Sequence, residues 1–165
     1  MLKKCDEECY HNGRWFLLRL NVEVTDMIGA AIAKAKIRKG FASFGGRNLD
    51  KFLDNFADNA AIIYPHNLAA GGEIRGKEAI REWYRKDWGQ FPEETFKVET
   101  VCVEDMFAVG ATNVFTVEWS VVGKNKEHVE FSNRGISVIS LVKGKVAQMR
   151  VFIFDMDLAK RVWGD

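Results

Sequence analysis

A tyrosine, a histidine and a carboxylate are the side chains of this 165-residue chain best suited to moving a proton. Tyr64-Pro65-His66 closes one short apolar run, and Asp155 closes another, Met149 to Phe154. Histidine exchanges a proton near neutral pH. A tyrosine hydroxyl, with a pKa of about 10, is a poor base but a good donor to a developing oxyanion. A carboxylate among aromatic neighbours has a raised pKa and suits acid or base work. Each also has a plainer reading: Tyr64 as a core aromatic, His66 as a loop residue, Asp155 as the N-cap of a helix beginning at Met156. Asn133 lies mid-strand, shares a face with Ser137 and would orient a ligand there. Phe56, Trp83 and Trp119 are candidates for an aromatic wall, with Met149, Val151 and Ile153 as the apolar pocket face of the last strand. All of these suit a core equally well.

Two further motifs carry less. Gly71-Gly72-Glu73-Ile74-Arg75-Gly76-Lys77 satisfies the phosphate-loop spacing, but Glu78 stands where a magnesium-binding hydroxyl belongs and would repel phosphate. Cys5-x3-Cys9-x-His11 groups soft ligands without the second half that a zinc site needs, so no metal is expected. There is no Gly-x-Ser-x-Gly elbow, and covalent acyl transfer has no support.

The elements that must position these groups follow from periodicity. Residues 1–26 read as an extension without clear periodicity, and 27–165 as one domain. Ile28, Ala31, Ile32, Ala35, Phe41 and Phe44 mark a helix ended by Gly45-Gly46. Asn48 caps a short second helix. Ala60 to Tyr64 is a strand, 67–76 a glycine-rich loop, and Lys77 to Trp88 a third helix with a heavy aromatic side. After Pro92 the period becomes two, and Phe96–Val103, Met106–Val122, Val129–Val142 and Val146–Asp155 read as strands. Helices followed by a meander make an α+β fold, with the helices over the concave side of a curved, mostly antiparallel sheet.

Composition narrows the function. Basic and acidic residues number 24 and 23 and are interspersed, so the basic stripe of a nucleic-acid binder is missing. No apolar run approaches the length of a membrane helix. The amino terminus does not read as a leader, and the three cysteines suggest reduced thiols, so a cytoplasmic protein is expected.

The run Asn48-Leu49-Asp50-Lys51-Phe52-Leu53-Asp54-Asn55-Phe56-Ala57-Asp58-Asn59-Ala60, then Tyr64-Pro65, then Ile74-Arg75-Gly76-Lys77-Glu78-Ala79-Ile80-Arg81-Glu82-Trp83-Tyr84, resembles the SnoaL-like branch of the NTF2-like superfamily. Asn133-Arg134-Gly135, Gly144-Lys145-Val146 and Arg150 to Asp155 are similar too. The resemblance implies a cone-shaped barrel with three N-terminal helices, a deep pocket for a small hydrophobic molecule, and a homodimer. It implies no cofactor. Its functions range from ketosteroid isomerases, polyketide cyclases, epoxide hydrolases and dehydratases to non-enzymatic binding domains. The isomerase's catalytic aspartate falls on Tyr64, its helix-one tyrosine near Gly40 and its protonated aspartate near Ser137 or Ile136; the hydrolase's aspartate falls on Val151. Two readings follow. One is a cofactor-free isomerase, cyclase or lyase acting on a small apolar carbonyl compound, with His66 or Asp155 moving the proton and Tyr64 or Asn133 holding the enolate oxygen. The other is a non-catalytic ligand-binding or dimeric scaffold protein.

Overall fold

The computed structural model describes residues 34–35, 37–104 and 112–164. The extension over 1–26, the Cys5-Cys9-His11 cluster, the start of the first helix and the Met106 end of the expected strand lie outside them. Helix α1 runs over 37–45 and buries Phe41 and Phe44. The chain turns at Arg47, which sits at φ 52°. Asn48 then caps α2 (Leu49–Leu53) by accepting a hydrogen bond from the Lys51 N–H at 3.0 Å, which satisfies one of the donors a helix start leaves open.

Strand β1 (Phe56–Tyr64) starts earlier than its apolar run. The expected loop 67–76 contains a strand, β2 (Gly72–Arg75), paired antiparallel with β1. Its outward Glu73 and Arg75 leave Ile74 as the sole apolar signal, so periodicity does not reveal it. Gly76, at φ 89°, turns the chain into α3 (Lys77–Gln90). The remaining elements are β3 (Glu93–Val103), β4 (Asn113–Lys124), β5 (Glu130–Val142), β6 (Lys145–Ile153) and α4 (Met156–Trp163).

The six strands lie in the order β2-β1-β6-β5-β4-β3. Every neighbouring pair is antiparallel except β1 with β6. The α+β class and the three helices ahead of the long strands agree with the sequence. The cone-shaped barrel does not: the sheet is open and not strongly curled. Closure needs the edge strands to tilt and pair. Here β2 is four residues long and pairs with β1 alone, and β3 pairs with β4 alone. The helices instead cover one sheet face, and their aromatic side chains pack against it.

The core lies between that face and the helices. Phe44 meets Phe52, Tyr84, Trp88 and Phe96 at ring separations of 5.2–5.9 Å. Such tilted and edge-on pairs add to the burial of apolar area. No helix among the described residues is long and apolar enough to cross a membrane.

Candidate functional site

One face of each central strand provides the floor of a cavity. On β4, β5 and β6 the buried positions alternate: Phe115, Val117 and Trp119; Asn133 and Ser137; Met149 and Val151. Trp119 pairs with Gly135, which pairs with Ile153. A Cβ on Gly135 would stand 2.4 Å from the Trp119 ring, so the glycine lets the indole lie across the sheet. The indole N–H then donates to Ser137 Oγ at 3.0 Å.

Helix α4 forms one wall through Ala159, Val162 and Trp163. Three buried amides hold it there. Asn133 Nδ2 donates to the Asp155 carbonyl at 2.8 Å, and its Oδ1 accepts from the Asp155 N–H at 3.2 Å. At the other end, Gln90 Nε2 and Asn125 Nδ2 both donate to the Val162 carbonyl, at 2.8 and 3.0 Å. The cavity has a volume of about 110 Å³, many times what one water needs. Its walls are mainly aromatic, including Phe41, Phe91, Phe96 and Phe131.

The polar groups in this apolar space are a carboxyl pair and a tyrosine pair. Asp87 lies on the buried side of α3, one turn beyond Tyr84, and only 9% of its surface is exposed. Glu94, the second residue of β3, is in step with Phe96 and Val98 on one face. Burial, then the neighbouring Glu94 charge, hold the Asp87 carboxyl well above the usual carboxylate range, against the pull of Arg47. Burial likewise pushes Glu94 up to about 7, again opposed by Arg47. Arg47 reaches this region from the α1–α2 turn. Its guanidinium donates to the carbonyls of Trp88, at 3.3 Å, and Phe91, so it also closes the C-terminal end of α3. Burial, first, and the proximity of the two rings' hydroxyls raise Tyr64 above the ordinary phenol value, and burial does the same for Tyr84. A phenol hydroxyl can donate to an oxyanion, and so can the Asp87 carboxyl when it holds its proton. A carboxyl titrating near 7 can take or return a proton at neutral pH.

The raised Glu94 carboxyl has a consequence for stability. A group whose folded pKa exceeds its unfolded value binds more protons in the folded state between the two, so stability falls as pH rises through that window. Between pH 4.5 and about 7 the wild type is expected to lose stability. Urea unfolding across this window should show a shallower loss in Glu94→Gln; an identical slope in both proteins would contradict the burial of this carboxyl.

Of the residues singled out from sequence, Tyr64, Trp119, Asn133, Met149, Val151 and Ile153 line the cavity. His66 is exposed on the turn after β1. Asp155 is exposed too, its carboxylate accepting from the Leu158 N–H at 2.8 Å as the N-cap of α4. Neither lines the cavity. Phe56 is buried in the core against Phe52, and Trp83 stacks behind Tyr64 at 4.1 Å while donating to the Ala70 carbonyl. Asp87, Glu94 and Tyr84 escape the sequence reading as site residues. The available signal is a carboxylate on an apolar stripe: Ile80, Tyr84 and Asp87 are four and three residues apart, and Glu94 keeps step with Phe96 and Val98.

The family model for the SnoaL-like domain matches residues 37–149. Bal32a, from a soil-derived mobile gene cassette, has a similar structure: TM-score 0.70, 16% identity, covering 82% of this chain and 99% of that one. TerC co-crystallised with polyporic acid superposes at a TM-score of 0.61, with 12% identity over 85% of this chain and 99% of that one. Aln2 from a Streptomyces species gives a TM-score of 0.60 and 17% identity, over 76% of this chain and 90% of that one. No curated protein matches the chain.

Proposed function

The chain belongs to the SnoaL-like domain family of the NTF2-like superfamily, and on that footing we propose that it is a cofactor-independent proton-transfer enzyme acting on a small aromatic or apolar carbonyl compound. The observation that carries this reading is that Asp87, Glu94, Tyr64 and Tyr84 line one largely aromatic cavity. The substrate carbonyl sits against the tyrosine hydroxyls and the protonated Asp87. Glu94 removes a proton from the adjacent carbon, the enolate oxygen is held by those donors, and Glu94 returns the proton at the same or a conjugated position. Isomerisation, aldol-type cyclisation and elimination all begin with this step. Aromatic walls suit a planar ligand, and the co-crystallisation of TerC with polyporic acid supports a ligand of that kind.

The test is hydrogen–deuterium exchange at the methyl group of 2-acetylnaphthalene in D2O, followed by proton NMR. Exchange faster than in a buffer blank, saturable with ketone and dependent on Glu94, supports the reading. A protein that binds the ketone and leaves its exchange rate at the blank value is a binding protein, the alternative reading.

A second copy of the chain is the proposed partner. On the sheet face away from the cavity, Phe152 is 50% exposed and Val122 49%, with Phe154, just beyond β6, at 56%. We propose these open apolar side chains as part of the contact between copies. Phe152→Glu combined with Phe154→Glu is expected to convert a dimer to a monomer in sedimentation velocity; a wild-type monomer at micromolar concentration would rule the dimer out.

A further inference from the structure

We infer that Ser137 is a ligand-contacting hydrogen-bond donor, and that the ligand carries a second acceptor oxygen at the end away from its reacting carbonyl. This rests on the pocket reading above and specifies the ligand class: a planar compound with oxygens at two ends.

The argument is an account of one proton. Ser137 is 3% exposed and lines the cavity. Its only side-chain hydrogen bond to the described residues comes from the Trp119 indole. An indole N–H donates and cannot accept, so the serine oxygen is the acceptor in that bond. The hydroxyl proton is left over, and among the described residues it meets no acceptor. A buried donor without a partner is costly, and a ligand oxygen in the cavity relieves it. Asn133, the other polar floor residue, is not in this position. Its oxygen accepts from the Arg134 and Asp155 N–H groups, and its nitrogen donates to the Asp155 carbonyl.

Strand register places Ser137 relative to the reacting end. Ile63 pairs with Arg150, which sets Tyr64 beside Val151, and Val151 pairs with Ser137. Tyr64 and Ser137 therefore occupy one row of the cavity floor, two strand spacings or about 10 Å apart. The Trp119 ring approaches Gly135 next to that row and lines the cavity, so a planar ligand there has an aromatic neighbour. A carbonyl at the tyrosine pair and an oxygen at Ser137 thus span one planar molecule.

The experiment compares 2-acetylnaphthalene with 2,6-diacetylnaphthalene, whose oxygens lie at opposite ends, by isothermal titration calorimetry. The wild type is expected to bind the diacetyl compound about tenfold more tightly, and Ser137→Ala to reduce that preference to about twofold or less. Ser137→Thr keeps the hydroxyl and should keep the preference, whereas Ser137→Val, of the same shape as the threonine variant, should lose it. The Thr/Val pair reads the hydroxyl alone should the alanine variant fail to fold. Equal affinity for the two ketones in the wild type, or a preference that survives in Ser137→Val, overturns the inference and leaves the pocket reading standing. Failure of either ketone to bind removes the pocket reading and this inference with it.

Discussion

Glu94→Gln is expected to slow the exchange of the ketone's methyl protons by about a hundredfold or more, the usual contribution of a positioned general base. The amide matches the carboxyl in size and keeps the β3 backbone in place, but it has no basic oxygen. Asp87→Asn should behave differently. Asp87 works as a neutral donor, and an amide N–H still donates, so a loss of less than about tenfold is expected. The two variants separate the base from the oxyanion donor. Comparable losses in both would show that the roles are shared, and no loss in Glu94→Gln would remove this carboxyl from the chemistry. His66→Ala, exposed on its turn, is expected to leave exchange unchanged.

Gly135→Ala is expected to be strongly destabilising and to disturb the cavity floor at the same time. The added Cβ would lie 2.3 Å from the Phe152 carbonyl oxygen and 2.4 Å from the Trp119 ring, both well inside van der Waals contact. The neighbours cannot easily yield, because Phe152 belongs to the paired strand β6 and the Trp119 N–H is fixed on Ser137. Overpacking in a well-filled core typically costs about 1–3 kcal/mol, and this clash falls at or above the upper end. If the fold survives by swinging the indole away, the floor of the cavity goes with it. Urea unfolding and ketone titration of the same variant check both. A stability within about 0.5 kcal/mol of wild type, with unchanged ketone affinity, would contradict the tight approach at Gly135.

Much of the architecture was legible because it rests on local chemistry. The aromatic side of α3, the Asn48 cap, the alternation along β4 and β5 and the inward set Met149, Val151 and Ile153 all follow from period and capping. The plain reading of Asp155 as a helix cap also matches its hydrogen bond to Leu158. Sheet closure was not legible, since it depends on whether β2 and β3 meet, and neither strand encodes its distant partner. The carboxyl pair was missed for a related reason. Asp87 reads as one more charged residue in a helix rich in them, and its place beside Glu94 of β3 and Arg47 of the α1–α2 turn is set by tertiary packing. His66 and Asp155 drew attention by type and by their place at strand ends, yet the turn after β1 and the start of α4 direct both to solvent.

The central claim is that buried Asp87 and half-buried Glu94 form a carboxyl pair facing a ligand cavity. Carbon-13 NMR of the side-chain carboxyls, titrated from about pH 3 to 9 to bracket the ordinary and the raised carboxyl ranges and assigned with Glu94→Gln and Asp87→Asn, tests it most directly. The account predicts that Glu94 titrates near 7, that Asp87 stays protonated well above the usual aspartate range, and that both signals move when 2-acetylnaphthalene is added. Two carboxyls titrating at about 4, the ordinary value in water, and insensitive to the ketone would mean that the account is wrong.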